Sequence, residues 1–359
     1  MRTTANKPFH VTGIMSGTSL DGLDIAACSF YQQNGNWEYQ IKHAQTYPYP
    51  DHWKSRLSGL LDSKSQELVK VHFAYGKLLA EFVNRFHNET HFNPDLIASH
   101  GHTVFHNPAM GFTLQIGSGA VIASLSGKPV VCDFRSGDIS LGGQGAPLVP
   151  LGDELLFGRY DACLNLGGFS NISFKHLNQR MGFDICPVNT VLNMLACKLG
   201  LPFDTDGNLA ANGEIHTELL ERLNRLPFYS QSVPKSLGIE WVNNEVVPAI
   251  SSFEISVQDQ LRTYTEHIAI QINNITGRYG IRNMLVTGGG AYNAFLINRI
   301  RKLSTPTLMI PDKETIEFKE ALIFAFLGLL RWLEQPNCLA TATGASANAI
   351  GGAVYLPAK

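Results

Sequence analysis

The sequence predicts an α/β protein built from two similar halves. Three observations carry this: apolar strand patterns alternate with helical ones, each half opens on a hairpin with a glycine-rich tip, and 359 residues exceed the usual size of one domain. The expected division is 1–157 and 158–359.

In the first half, residues 9–15 (FHVTGIM) and 23–30 (LDIAACSF) are rich in β-branched and apolar side chains. They are joined by SGTSLDG, whose glycines and short hydroxyl and carboxylate side chains suit a turn. A more polar third strand is expected at 37–47, ahead of Pro48 and Pro50. Between 65 and 87, Leu68, Val71, Tyr75, Leu78, Phe82 and Phe86 recur at spacings of three and four, the signature of one buried helix face. Strands follow at 96–99, 112–116 and 129–134, with a helix at 119–125. Residues 137–145 (GDISLGGQG) read as a glycine-rich loop, followed by a helix at 147–157.

The second half begins again with a hairpin: a strand at 161–166, the turn GGFSN and a strand at 172–176. Helices are expected at 213–225, 254–276 and 316–334. A strand at 283–287 runs into Gly288-Gly289-Gly290 and a helix at 292–303.

Composition narrows the function classes. Hydrophobic residues at 44% exclude disorder as the overall state. With 28 Lys+Arg against 30 Asp+Glu and no long run of one sign, there is no footprint for nucleic acid or an anionic membrane, so neither is expected as a partner. No signal-like apolar segment opens the chain and no run of about 18 apolar residues occurs, which predicts a cytoplasmic protein. Cys28, Cys132, Cys163, Cys186, Cys197 and Cys338 form no CxxC pair and read as buried, reduced thiols.

A hairpin tip of Gly with Ser and Thr offers backbone N–H groups and hydroxyls where no Cβ blocks approach, which suits phosphate oxygens. Two such tips could clamp a polyphosphate. The 288–290 turn could admit a flat adenine against bare backbone, with a helix N-terminus behind it. No P-loop pattern occurs, and no GxGxxG follows the first strand, which argues against those two nucleotide sites. His100, His102 and His106 have a metal-like spacing, but no Cys or Glu lies near, so they read as hydrogen-bonding residues of a cleft.

Carboxylates in glycine-rich or loop contexts are the next candidates, as groups that could take a proton or sit near a polyphosphate. Candidates are Asp21, Asp24, Asp133, Asp138, Asp184, Asp204, Asp206 and Glu320. Each taken alone also reads as a turn residue or helix cap. An ion pair with Arg135 is expected for Asp133. Spacing does not separate Asp184 from Asp138.

The order of phosphate hairpin, second phosphate hairpin and adenosine turn resembles the superfamily of actin, sugar kinases and heat-shock chaperone ATPases. Within it, the run Met15-Ser16-Gly17-Thr18-Ser19-Leu20-Asp21-Gly22-Leu23-Asp24 resembles the anhydro-N-acetylmuramic acid kinases. So do SHG at 99–101 with Thr103, QIG at 115–117, DFR at 133–135 with Asp138, GGQGAPLVP at 142–150, NLGGFSNI at 165–172, GFD at 182–184, TGGG at 287–290 and Glu320-Ala321. Two departures stand out. His102 replaces the family's usual Gln, and Cys186-Pro187-Val188-Asn189 replaces Gly-Pro-Gly-Asn. The first is expected to alter a hydrogen bond near the sugar or a domain hinge, and the second to stiffen the backbone beside Asp184.

The resemblance implies two actin-like (ribonuclease-H-like) domains around a nucleotide cleft, ATP and Mg²⁺ as cofactors, and a homodimer. It implies that Asp184 is the general base and that Glu320, Gln115, His100 and Asn189 bind the sugar. Nucleotide would be held by Gly17, Thr18, Ser19, Leu20, Asp21, Gly22, Leu23, Asp24, Gly167, Gly168, Ser170, Asn171, Gly288, Gly289 and Gly290, and Mg²⁺ by Asp21 or Asp24 through water. The implied reaction opens the anhydro ring of 1,6-anhydro-N-acetylmuramic acid with water and phosphorylates O6, as in cell-wall recycling. The alternatives are a kinase for another sugar, or a nucleotide-gated binding protein of the actin or chaperone kind. Against the latter, 359 residues leave little room for a separate peptide-binding β-domain.

Overall fold

The computed structural model describes residues 7–17, 20–233 and 235–358. The chain divides into two compact units, Met1–Leu156 with Phe318–Lys359, and Phe157–Glu317. The first break falls where the second hairpin pattern begins. The C-terminal segment departs from the expected 158–359 domain, because 318–359 returns to the first unit.

The first unit holds strands β1 (Phe9–Ser16), β2 (Gly22–Gln33), β3 (Asn36–Pro48), β4 (Leu96–Ser99), β5 (His102–Asn107), β6 (Phe112–Ile116) and β7 (Val130–Cys132). The second contributes β8 (Ala162–Leu166), β9 (Phe169–His176), β10 (Gln179–Pro187), β11 (Asn283–Thr287) and β12 (Thr307–Met309), and β13 (Ala353–Tyr355) returns to the first. The sheets run β13-β7-β4-β1-β2-β3 and β10-β9-β8-β11-β12, with β5 and β6 forming a separate ribbon. Reading each sheet from its first strand, both have the order third, second, first, fourth, fifth. In both, the first three strands are antiparallel and the next two join in parallel. The expected repeat is therefore one of topology.

Long helices pack on both faces of the first unit's sheet. Helix Ser65–Thr90 buries Val71, Tyr75, Leu79, Val83 and Phe86 in a cluster with Ile14, Ile25 and Ile97, as its periodicity predicts. On the other face, helix Lys313–Trp332 comes so close that a Cβ at Gly13 would lie 2.0 Å from the Ala321 carbonyl oxygen, and one at Gly328 2.4 Å from the Ala98 Cβ. That approach, together with β13 pairing to β7, is what draws the tail back to the first unit.

In the second unit, helix Val257–Tyr279 begins at Ser256, whose Oγ accepts from the Asp259 N–H at 3.0 Å, and ends at Gly280 in the left-handed region (φ 64°). The helix expected at 213–225 shortens to Thr217–Asn224, because the His216 ring accepts the Leu219 N–H and caps it. The start of the loop expected at 137–145 belongs to a helical turn, Ser136–Ser140.

Candidate functional site

In the first unit, register pairs Ser16 with Leu23, which places the glycine-rich segment at the tip of the first hairpin. Gly17, Leu20, Asp21 and Gly22 belong to it, while Thr18 and Ser19 lie outside the described residues. Leu20 takes a left-handed conformation (φ 59°), and a Cβ at Gly22 would sit 2.6 Å from the Tyr47 carbonyl oxygen, so glycine there lets β3 pair. Leu23 is fully buried between Ser16 of β1 and Tyr47 of β3 and anchors the hairpin, so it reaches no ligand itself. Asp21 is exposed, and Asp24 accepts the Thr46 hydroxyl at 2.6 Å.

Beneath this tip runs a buried polar chain. The Tyr49 hydroxyl donates to Ser16 Oγ at 2.9 Å and lies 2.5 Å from the Tyr75 hydroxyl, and Ser16 Oγ is 3.2 Å from His102 Nδ1. His102 thus acts directly under the first hairpin. Burial lowers its pKa from the ordinary histidine value.

His100, expected at the sugar, orients an arginine. Burial, with help from the Arg135 charge, pushes its pKa down to about 3. The neutral ring donates Nδ1–H to the Gly101 carbonyl (3.0 Å) and accepts at Nε2 from Arg135 Nη2 (2.9 Å). Arg135 also donates to the Gly145 carbonyl at 2.7 Å, so the GGQG loop and His100 grip the guanidinium. The expected Asp133–Arg135 pair does not form: Asp133 accepts the Ser136 hydroxyl at 2.5 Å. His106 Nδ1 lies 3.1 Å from the Thr113 hydroxyl. Sequence reasoning left Arg135 out of the site, and the available signal was its place in the DFR motif, between SHG and GGQG, which fold onto it.

Glu320 stands on helix Lys313–Trp332, one residue after Lys319, which pairs with Asp153 at 2.7 Å in a buried ion pair. Glu320 retains solvent access, yet protein around the carboxyl is the largest influence on it and raises its pKa. Lys319 and Arg135 pull the other way, and Asp24 and Asp153 add to the rise. Asp138 is fully buried and accepts from Gly145 N–H (2.7 Å), the Thr343 hydroxyl (2.6 Å) and Cys338 Sγ (3.1 Å). It fastens the GGQG loop to the C-terminal segment, which separates it from Asp184 as a base. Gln115 donates through Nε2 to the Thr113 hydroxyl at 2.8 Å, and its buried Oε1 has no partner.

In the second unit, the tip of the β8–β9 hairpin is locked to the following helix. The Gly168 carbonyl accepts from Val188 N–H (2.8 Å) and Thr190 N–H, and the Gly167 carbonyl from Asn189 N–H. The Asn189 side chain donates to the Leu166 carbonyl at 3.1 Å, which commits it to the hairpin. A Cβ at Gly288 (φ 82°) would lie 2.5 Å from Asn165 Oδ1 and 2.8 Å from the Leu166 carbonyl carbon, and one at Gly290 2.7 Å from Leu166 Cβ. The 288–290 turn therefore rests directly on the base of the second hairpin, at the carboxyl ends of the parallel strands β8 and β11. Gly289 is the member whose added Cβ would meet least, with Asn189 Nδ2 at 3.5 Å.

Asp184 lies on the edge strand β10, opposite Asn171, where a bulge interrupts pairing before Cys186. The segment 235–237 straps it: its N–H donates to the Lys235 carbonyl (3.0 Å) and its Oδ2 accepts the Leu237 N–H (2.8 Å). Burial raises the carboxyl pKa, against the lowering effect of that one hydrogen bond. Asn171 is exposed. Ser170 is fully buried and its hydroxyl donates to the Cys186 carbonyl at 3.0 Å, tying β9 to β10 and turning the side chain inward. Asp204 accepts the Leu209 and Ala210 N–H groups at 2.8 and 3.0 Å, and so starts a short helix.

The family model described as "Anhydro-N-acetylmuramic acid kinase" matches residues 9–357. The chain belongs to the anhydro-N-acetylmuramic acid kinase family. The protein of that name from Sulfurovum sp. (strain NBC37-1) is 34% identical over 367 residues, covering 98% of this chain and all of the relative. The one from Haemophilus influenzae is 33% identical, covering 97% of this chain and 98% of the relative. Among solved structures, the activator of the 2-hydroxyisocaproyl-CoA dehydratase from Clostridium difficile, with bound ADPNP, aligns at 12% identity and a TM-score of 0.45, covering 91% of this chain and 96% of that one. Both departures from the usual kinase family sequence are absorbed structurally. His102 joins the Ser16–Tyr49–Tyr75 chain, and Cys186 and Val188 are fully buried in the second unit's core.

Proposed function

We propose that this protein phosphorylates 1,6-anhydro-N-acetylmuramic acid with ATP while opening its anhydro ring, giving N-acetylmuramic acid 6-phosphate in cell-wall recycling. The observation that carries this reading is Asp184: a half-buried carboxyl, raised by desolvation, at a bulged edge strand and held by one backbone N–H. A base is most effective when its pKa approaches the working pH, and burial moves this carboxyl in that direction.

In the mechanism, water gives its proton to Asp184 as its oxygen bonds to the anomeric carbon. The C1–O6 bond breaks, O6 takes the γ-phosphoryl group, and ADP departs. Charge at the anomeric carbon resembles that of glycoside hydrolysis. An inverting hydrolase needs an acid for the leaving oxygen, but here phosphoryl capture of O6 fills that role, so one base suffices. Arg135, oriented by His100 and Gly145, is a cation suited to an anionic group of the sugar or phosphate. Glu320 and the unpartnered Gln115 Oε1 supply acceptors for sugar hydroxyl or amide donors. Asn189 supports the second hairpin in this reading, and the glycine tips hold phosphate through backbone N–H groups.

Asp21 and Asp24 offer hard oxygen donors on one hairpin, fitting a Mg²⁺ that keeps most of its water. That ion would neutralise phosphate charge during transfer. All six cysteines are free thiols, which supports the reducing cytoplasm, although Cys197 is exposed and Cys132 only partly buried. No helix among the described residues is long and apolar enough to cross a membrane. A homodimer follows from the family resemblance, and sedimentation velocity measures it.

The deciding experiment runs turnover in ¹⁸O-water. Label entering at C1 and absent from phosphate is expected. Label in phosphate alone would mean simple ATP hydrolysis and would remove the ring-opening step.

A further inference from the structure

Behind the strap that holds Asp184, the second unit contains a cavity of about 430 Å³ that neither the glycine hairpins nor the proposed sugar contacts use. Its wall includes Arg225, Lys235 and Arg278 together with the polar side chains of Ser230, Gln271 and Asn274. No Asp or Glu lines it among the described residues. The whole chain carries a formal charge of −2, so this concentration of positive charge is local and not compositional.

The three cations differ in how they are held. The Lys235 ammonium lies 4.3 Å over the Phe228 ring and donates to the Phe228 carbonyl at 2.9 Å, which fixes it against the wall. Arg225 pairs with Glu221 at 3.0 Å in an exposed i,i+4 bridge, worth little in water. Arg278 stands exposed near the C-terminal end of helix Val257–Tyr279. Burial and the Arg278 charge both push the Lys235 pKa down, so the two cations sense one another across the cavity. Like charges gathered around a cavity cost free energy that a bound anion recovers.

We propose that this cavity binds a small phosphate-bearing molecule, gripped by Lys235 and Arg278 and completed by Ser230 and Asn274. A dianionic phosphate matches several cations better than a single carboxylate does, and guanidinium groups favour its geometry. The volume lies in the range of small-molecule sites. Inorganic phosphate and a sugar phosphate monoester share this chemistry. The site also bears on the base. Lys235 contributes its side chain to the cavity and its carbonyl to the Asp184 N–H, and Leu237, two residues on, binds Asp184 Oδ2. An occupant that stills Lys235 therefore stiffens the strap. This coupling rests on the role given to Asp184, whereas binding does not.

The test titrates the full-length protein by calorimetry with inorganic phosphate, glucose 6-phosphate and acetate, in saturating ADP so that the nucleotide site is filled. Saturable phosphate binding is expected, weakened about tenfold or more by either Lys235→Met or Arg278→Gln. Arg301→Gln, on another helix, should leave it unchanged. Tighter binding of glucose 6-phosphate than of phosphate identifies a monoester as occupant, and equal binding identifies the free anion. Hydrogen exchange at the Asp184 and Leu237 amides should slow on phosphate addition in the wild type and not in Arg278→Gln. Equal phosphate affinity in wild type and Arg278→Gln, or acetate binding as tightly as phosphate, would overturn the proposal. Because Arg278 is exposed, loss of fold does not confound its variant. Binding without the exchange effect would retain the site and overturn only its link to the base.

Discussion

Gly13→Ala tests whether the helix bearing Glu320 is set by the close approach at β1. The added Cβ would lie 2.0 Å from the Ala321 carbonyl oxygen and 2.9 Å from the Ala325 Cβ. Real Cβ contacts essentially never fall under 3.0 Å, so the strand and helix must separate by about an ångström. The obstructing atom is backbone, so no rotamer change relieves it. Overpacking of this kind costs roughly 1–3 kcal/mol, which at about 2–4 °C per kcal/mol for a domain of this size lowers the melting temperature by several degrees. Glu320 follows directly on that helix, and a displacement near 1 Å at a reacting site costs on the order of 10²-fold in rate. Differential scanning calorimetry and ADP release with the anhydro-sugar as substrate measure the two effects. A variant with wild-type melting temperature and wild-type kcat/KM would refute the reasoning, because the helix would then have found another seat at no cost.

Asp184→Asn should lower kcat by roughly 10²–10⁴-fold, the usual contribution of a general base, and ATP binding followed by fluorescence should survive. In the wild type, kcat/KM should rise with pH through an ionisation above the ordinary aspartate value of 3.8. The fold holds this proton more tightly than the unfolded chain does, so stability is lost as pH rises from the unfolded toward the folded pKa. Asn removes that loss, and thermal melts at pH 7 should show a variant at least as stable as wild type. Lys319→Met leaves the buried Asp153 carboxylate without its lysine and should cost about 3–5 kcal/mol in denaturant unfolding. Lys319→Met combined with Asp153→Leu should recover much of it. His102→Ala should cost about 1–3 kcal/mol by stranding a buried hydroxyl of the Ser16 chain. His102→Gln, which restores the family's usual residue, should stay close to wild type in both melting and turnover.

Much of the fold was legible because periodicity and turn chemistry agreed. The helix Ser65–Thr90 follows from its apolar spacing, and both hairpins follow from apolar strands around glycine. Elements defined by pairing with distant chain were not legible. Strand β10 carries Gly182 and ends at Pro187, which weaken a strand pattern, and it exists because β9 supplies a partner across eight register pairs. Strand β13 is three residues long and is fixed by β7. For the same reason, the return of 318–359 to the first unit was hidden: it depends on Gly13 and Ala98 being small enough to admit a helix from more than 200 positions away. In the site, glycine positions were legible as motifs, but the partners of polar side chains were not. Whether His100 meets a sugar or an arginine, and whether Asp138 is free or fully bonded, depends on residues that the sequence places far away.

The two carboxyls given roles in the proposed reaction, Asp184 and Glu320, can be compared through what surrounds each of them. Asp184 and Glu320 are both pushed up by desolvation, but their surroundings differ in kind. Only a backbone N–H opposes the rise at Asp184, and a single neutral donor leaves the carboxylate available to take a proton. At Glu320 two cations, Lys319 and Arg135, oppose the rise without cancelling it, and the Asp24 and Asp153 carboxylates add to it. Those cations are themselves fixed, Lys319 by Asp153 and Arg135 by His100 and Gly145. Both carboxyls are therefore biased toward holding a proton, but by different balances: burial against one backbone N–H at Asp184, and burial with two carboxylates against two fixed cations at Glu320.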